Sequence, residues 1–376
     1  MVGTMGNANK SKVISEVLRQ EIVGGKFDGT RKLPSEHQLM RRFSVARETV
    51  RSALKDLIAR DLISRKPGYG TYLVDRAAAI ASQRFGVIVP DAYHPFYQMI
   101  FRGLEDAARK RGWSVLTAAL GCGTPRERAL KALEFAEICR DQRVGGVFVQ
   151  PLQFFKDSER FNRALVDVLD AAGIPIVLLD SDYRTPPLRS KFDLVGVDNH
   201  EAGYVLAAHL LEQGAKHVVY FSNPYPSVTS LARGSGAGLA VAAAGLRWTR
   251  ENMVFAEPSD AKAVRRVFGT SRRPDAVVCV NDHVARQLCA TLRSIGLEVP
   301  RDMLMAGMND DEDASACIPP LTTAAQPCVE IGALAVRMML DRIEDSSLAP
   351  RGVYLSTHLV VRESTQRVER KGKRRK

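Results

Sequence analysis

SVARETVRSAL, residues 44–54, sets Arg47, Glu48, Thr49 and Arg51 on a short run whose apolar positions, Val50 and Leu54, fall one turn apart. The stripe continues through Leu57 and Ile58, so a helix is expected from about Arg47 to Arg60. Arg47, Thr49 and Arg51 fall largely off its packed face. Upstream, Ser35 is a good N-cap for a helix over about 35–42, with Pro34 holding the chain extended before it and Leu39 and Met40 turned inward. Residues 10–23 give a further helix on Val13, Val17, Leu18 and Ile22. Two helices joined by the short "FSV" turn form a helix-turn-helix. Its second helix enters the DNA major groove N-terminus first. Arg47 stands at that leading end, where a guanidinium can make two parallel hydrogen bonds to guanine. Thr49 is suited to a thymine methyl or a phosphate, and Arg51 to a phosphate. The next stretch, LISRKPGYGTYLV (62–74), reads as two short strands around a Lys66-Pro67-Gly68-Tyr69-Gly70 turn. That is a wing with a positive tip able to reach the minor groove.

The charge is distributed to match. The chain of 376 residues carries a formal net charge of +12. Residues 1–74 hold 14 Lys/Arg against 7 Asp/Glu, the tail 367–376 holds seven basic residues against one acidic, and everything between nets −1. A basic head on a neutral body is expected to meet a polyanion. The tail reads as a solvated terminal charge run.

Residues 33–74 resemble the winged helix-turn-helix of GntR-type bacterial transcription regulators, in the pattern LPSE…L…F.V.R.TVR.AL..L....LI.R..G.GTY. The resemblance implies DNA contacts from Ser35, Arg47, Thr49, Arg51, Gly68 and Gly70, with Lys66 and Tyr69 beside them in the wing. His37 stands where many members have arginine, and Asp61 where glycine is common. Glu48 in the reading helix is suited to accept from a cytosine amino group.

"DRAAAIASQR", 75–84, is a linker without core pattern. Beyond it, apolar β-rich runs alternate with helical stretches. The runs 85–90, 114–120, 145–150 and 175–180 form one series; 194–199, 217–222, 253–256, 276–281 and 303–308 form a second. Helices are expected at 97–111, 127–140, 159–172, 200–213, 230–244 and 282–295. This alternation predicts an α/β body of two lobes with parallel sheets covered on both faces. Ligands of such sheets bind beyond the C-terminal strand ends. Those ends here carry Asp180, Asp198-Asn199, Asn281-Asp282 and Asn309-Asp310-Asp311, a lining of carboxylates and amides suited to polyhydroxyl compounds.

GVDNHEAGYVLAAHLLEQGAKHVVYFS, RPDAVVCVNDHVARQLCATLRSIGLEVPRDMLMAGMNDDED, PPLTTAAQP and LVVREST make the body similar to the effector domain of the lactose/galactose-repressor family, which is related to periplasmic sugar-binding proteins. The resemblance covers about 84–366 and implies ligand contacts from Phe96, Asp180, Arg233, Asn281, Asp282 and Asn309. Asn309 is neutral where the family usually has an acid.

Other chemistries find little support. GSGAG (234–238) falls inside an expected helix rather than after a strand, and no GxxxxGK[ST] occurs. The seven histidines show no ligand spacing, the six cysteines no CxxC pair, and no G-x-S-x-G is present. No metal, cofactor or catalytic residue is therefore expected. No run approaches the ~18 apolar residues of a membrane helix. The opening MVGTMGNANKSKVISEV lacks a leader-like apolar stretch, so the expected location is the cytoplasm.

The expected organisation is a DNA-binding head at 1–74, a linker at 75–84, an effector-binding and dimerisation body at 85–366 and a basic tail at 367–376. The expected function is a homodimeric transcription repressor of double-stranded operator DNA, controlled by a sugar or sugar derivative. Rival readings are a sugar transport component, a sugar-active enzyme with an accessory DNA module, and a co-repressor system in which ligand tightens DNA binding.

Overall fold

The computed structural model describes residues 7–366 apart from 24–25, 28–29, 61, 67–68, 75–82, 91–94, 119, 122, 154 and 186. Asp61, Gly68, the 75–82 part of the linker, His94 and the basic tail lie outside the described residues.

The head consists of α1 (Asn7–Val23), α2 (Glu36–Phe43), α3 (Arg47–Ala59), β1 (Ile63–Lys66) and β2 (Gly70–Leu73). Ile14, Leu18, Ile22, Leu39, Val50, Leu54 and Leu57 form its core. Two positions differ from the expected pattern. Val13 is exposed because the buried stripe of α1 runs through Ile14, and Ile58 is exposed at the edge of the face set by Val50, Leu54 and Leu57. Ser35 caps α2 in a reciprocal box. Its hydroxyl accepts the Gln38 amide at 3.3 Å, and Gln38 Oε1 accepts the Ser35 amide at 2.8 Å. The turn into α3 is made at Ser44, in the left-handed region at φ 52. In the wing, β1 and β2 pair antiparallel, Ile63 opposite Leu73 and Lys66 opposite Gly70.

The body holds two six-stranded sheets. The first has β3 (Arg84–Ile88), β4 (Ser114–Thr117), β5 (Gly146–Val149), β6 (Ile176–Leu179), β7 (Asp193–Val197) and β13 (Gly352–Leu355), in the order β13-β7-β6-β5-β3-β4. Every pair in it is parallel. The second has β8 (Val218–Ser222), β9 (Met253–Phe255), β10 (Ala276–Cys279), β11 (Leu304–Asn309), β12 (Thr322–Ala325) and β14 (His358–Val360), in the order β14-β12-β11-β10-β8-β9. Only β12–β14 is antiparallel.

Helices α4 (Pro95–Arg109), α5 (Pro125–Asp141) and α6 (Ser158–Ala171) connect strands of the first sheet; α7 (Asn199–Glu212), α8 (Val228–Ala243), α9 (Ala261–Phe268), α10 (Asp282–Ser294) and α11 (Glu312–Ala316) belong with the second. The long helix α12 (Cys328–Glu344) returns to pack on the first sheet and on α4.

The chain thus passes between lobes three times, after β7, after β12 and after β13. This corrects one expectation. The 194–199 run does not open the second sheet; as β7 it closes the first, between β6 and β13. No local pattern marks the point where a strand changes lobes. Strands β12, β13 and β14 and helices α9, α11 and α12 add to the expected elements.

In each lobe two helices cross at backbone contact. A Cβ on Gly236 of α8 would lie 1.9 Å from the carbonyl oxygen of His200 in α7, and one on Gly332 of α12 would lie 2.1 Å from that of Ile100 in α4. GSGAG is therefore a packing stripe: Gly234 faces Met253 and Tyr220, and Gly238 faces the Trp248 indole. Gly236→Ala is expected to lower stability by about 1–3 kcal/mol, because overpacking against backbone has no soft partner to yield. A urea midpoint equal to that of the parent protein would contradict the crossing.

The base of the first lobe is tied by a buried charge knot. The Asp193 side chain, fully enclosed, accepts from Arg342 Nε at 3.1 Å and Nη2 at 2.9 Å, and from the Arg351 amide at 2.7 Å. The closing segment ties down the second lobe: Ser364 Oγ donates to the Met305 carbonyl at 2.6 Å, and Thr365 Oγ1 lies 2.7 Å from Thr322 Oγ1.

Candidate nucleic-acid interface and ligand cleft

On the head, the outward side of α3 presents Arg47, Glu48, Arg51 and Lys55. Glu36, the first residue of α2, gathers the arginines. Its carboxylate accepts from Arg47 Nε at 2.9 Å, from Arg51 Nε at 3.4 Å and from the Arg65 guanidinium on the wing. The Arg47 hydrogen bond, joined by Arg65 and Arg51, holds the Glu36 carboxyl below the usual carboxylate range. Glu36 was not singled out from sequence, although it is the acid of the LPSE motif. Its partners lie 11, 15 and 29 residues away, beyond any local spacing rule.

His37, Lys66, Tyr69 and Gly70 are exposed around this cluster, with Tyr69 at the wing turn. Lys32 and Lys66 flank the Tyr72 ring, their Nζ atoms 5.5 and 5.3 Å from its centroid. Two expectations change. Ser35 spends its hydroxyl on the helix cap. Thr49 is buried, at 4% exposure, because it lies one turn before Ala53 and shares that residue's packed side. It is removed from the candidate surface.

Between the lobes, polar groups converge at the C-terminal ends of parallel strands. Asp180 follows β6 at φ 65 and is buried; Gln150 Nε2, at the end of β5, donates to it at 3.3 Å. Burial pushes the Asp180 carboxyl up to about 6, with Arg233 pulling the other way. Arg233 is itself buried on α8. Its Nε donates to Asn199 Oδ1 at 2.8 Å, and its Nη1 donates to the Val280 carbonyl. A guanidinium spanning a lobe crossing and the end of β10 is fixed before any ligand arrives.

On the far side, Asn281 caps α10 by accepting the Val284 amide at 2.9 Å. Asn309, at φ 123, accepts from Gln326 Nε2 at 2.8 Å, and Asp310, at φ 57, pairs with Arg362 at 2.7 Å. Three non-glycine residues with positive φ, all at strand ends on this cleft, mark backbone held out of its preferred regions.

Asp282 stands apart. It has no exposure. Its carboxylate accepts Thr323 Oγ1 at 2.8 and 3.0 Å, the Asp310 amide at 2.7 Å and the Asp311 amide at 3.4 Å. With those donors in place it supports the 309–311 loop from beneath and offers a ligand no free face. Phe96 is buried at the start of α4, its ring 5.1 Å from that of Tyr97.

Two cavities open in the cleft. One of 410 Å³ is bordered by Asp180, Ser181, Asp198, Asn199 and Thr229, and a second of 640 Å³ lies next to it. Of the six sequence-derived ligand residues, Asp180 borders these cavities and Arg233 stands behind it. Phe96, Asn281, Asp282 and Asn309 are not among their lining residues.

A winged basic head joined to a hinged, two-lobed body with a polar cleft defines a ligand-responsive DNA-binding regulator. The comparisons fix its composition: residues 10–73 match the gntR family of bacterial regulatory proteins, and residues 207–365 match the periplasmic binding protein-like domain. The chain is a GntR-type winged helix-turn-helix fused to a lactose-repressor-type, periplasmic-binding-protein-like effector domain. It is 28% identical over 375 residues to the arabinose metabolism transcriptional repressor of Halalkalibacterium halodurans, covering 95% of this chain and 96% of that one. It is also 28% identical to the transcriptional regulator CelR of Thermobifida fusca, covering 85% and 89% respectively. A solved complex of the regulator CelR with cellobiose superposes with a TM-score of 0.64 at 25% identity, over 85% of this chain and 90% of that one.

Proposed function

We propose that the protein is a transcription repressor whose hold on operator DNA is set by a sugar bound between the lobes. The observation that carries the ligand class is a pair of buried amide oxygens, Oε1 of Gln150 and Oε1 of Gln326, with no donor among the described residues. A buried acceptor without a donor costs free energy that an incoming hydroxyl relieves. Placed with the Asp180 carboxylate and the Arg233 guanidinium, these oxygens suit a compound rich in hydroxyls that both donate and accept. The relatives named for arabinose metabolism, and the one solved with cellobiose, support the same class.

In this reading Arg47 and Arg51 face the major groove, with Glu48 and His37 beside them, while Lys66, Tyr69, Gly70 and Gly68 belong to the wing. Asp180, Arg233, Asn281, Asn309 and Phe96 surround the effector, and Asp282 positions the 309–311 loop. The head spans 1–74, the linker 75–84, the body 85–366 and the tail 367–376. The protein acts in the cytoplasm as a homodimer, because one head reads few base pairs and two match palindromic half-sites. It performs no catalysis.

The deciding experiment is a gel shift on the protein's own upstream DNA, with and without arabinose and cellobiose, over a range of salt. Retardation that weakens linearly in log salt and is altered by a sugar is the expected result. Absence of any complex at low salt would refute the assignment.

The state of Asp180 sets a pH dependence. Its carboxyl is raised to about 6 in the fold, so the folded protein holds that proton more tightly than the unfolded chain. Ionising it lowers the stability of the ligand-free protein as pH rises from about 4 to 6. Ligand hydroxyls favour the ionised form. Effector affinity is therefore expected to rise with pH through about 6 and to fall up to about tenfold per pH unit below it. Calorimetric titrations between pH 5 and 8 check this. An Asp180→Asn protein with the same profile would show that another group is responsible.

A further inference from the structure

The cleft does not end at Asp180. The 640 Å³ cavity is walled by segments 151–162 and 182–185 of the first lobe and by His200 and 224–235 of the second. It shares Asp182, His200, Val228 and Ala232 with the 410 Å³ cavity that Asp180 borders, so the two spaces are continuous. Each alone lies within the ~300–1,000 Å³ typical of small-molecule sites.

The outer space has its own chemistry. Tyr183 and Phe155, half-buried, line it from the first lobe; Tyr225, 58% exposed, lines it from the second. Asp182 fixes the Tyr183 wall. Its carboxylate accepts the Ser190 amide at 2.8 Å, the Ser190 hydroxyl at 2.9 Å and the Arg184 amide at 3.0 Å. Gln153 is likewise pinned, donating to Ser181 Oγ at 2.7 Å. Aromatic plates beside fixed polar groups match a sugar ring, which has an apolar C–H face and a polar edge.

We infer that the effector has at least two sugar rings, one beside Asp180 and the next in the outer cavity against Tyr183 and Tyr225. This deepens the sugar reading and rests on it. The second ring touches both lobes at once. Its contacts therefore exist in full only when the lobes are closed, which gives it the differential affinity that shifts a conformational equilibrium.

The test is calorimetric titration of the full-length protein with matched pairs: glucose and cellobiose, galactose and lactose, arabinose and arabinobiose. For at least one pair the disaccharide is expected to bind ten or more times tighter than its monosaccharide. Tyr225→Ala should remove most of that advantage while changing monosaccharide affinity less than twofold. The exposure of Tyr225 leaves the fold intact, which circular dichroism confirms. A monosaccharide that binds as tightly as its dimer, or a Tyr225→Ala loss equal for both, overturns the two-ring inference and leaves the sugar reading standing. No binding from any pair overturns the sugar reading, and the inference with it.

Discussion

Asp193→Ala is expected to destabilise the first lobe by about 3–5 kcal/mol, the cost of leaving buried cationic partners without their counter-charge. Arg342 is mostly enclosed, and its Nη1 already donates to the Ser346 carbonyl at 3.2 Å and to the Leu348 carbonyl, so it cannot swing into solvent without breaking those bonds as well. At roughly 2–4 °C per kcal/mol for a unit of 150–250 residues, the melting temperature should fall by about 6–20 °C. The double variant Asp193→Leu/Arg342→Met should recover much of the loss, because replacing both members of a buried pair by apolar groups is often near neutral. A single variant within 0.5 kcal/mol of the parent would mean the knot is solvated. The position matters for function too. Asp193 opens β7, Arg342 lies near the end of α12 and Arg351 immediately precedes β13. The knot therefore anchors, at the end away from the cleft, the elements that flank all three crossings.

The second large effect belongs to the head. Arg47→Ala should cost about 1–3 kcal/mol per half-site in specific binding, the discrimination of one bidentate guanine contact. On a palindromic operator with two heads engaged, the loss doubles to about 2–6 kcal/mol, or roughly 30-fold to 10⁴-fold. Binding to random DNA should change far less, since it depends on summed charge. The Glu36 cluster sharpens the expectation. Glu36 holds Arg47, Arg51 and Arg65 together in the free head, so Arg47 arrives pre-oriented and little side-chain entropy is lost on contact. The measurement is the ratio of operator to random-sequence affinity at fixed salt. An unchanged ratio would place base reading elsewhere.

How far the sequence could be read depended on the range of the interactions involved. Ser35 was legible as a cap because its partner Gln38 is three residues away, and α3 because Val50, Leu54 and Leu57 repeat at helical spacing. Thr49 misled because one helix step of 100° separates a packed position from an open one, and spacing alone does not say how wide the packed side is. Strand β12 was missed because Thr322-Thr323-Ala324-Ala325 is buried without being strongly apolar. Asp282 carried a strand-end signature, yet its donors come from residues 310, 311 and 323, which only the folded sheet brings near. Asp180 and Arg233 were found from their places in recurring motifs, while the outer aromatic cavity left no trace in any single stretch.

The three passages of the chain between lobes bear on how the protein is made. Neither lobe is one continuous piece: the first needs residues 84–197 and then 328–355, and the second is interrupted by that same return. A ribosome delivering the chain from its N-terminus completes the head early, but it must emit almost the whole polypeptide before β13 can take its place beside β7. Until then the first sheet waits with an open edge. Nascent chains halted before residue 352 should consequently be the ones that chaperones hold longest.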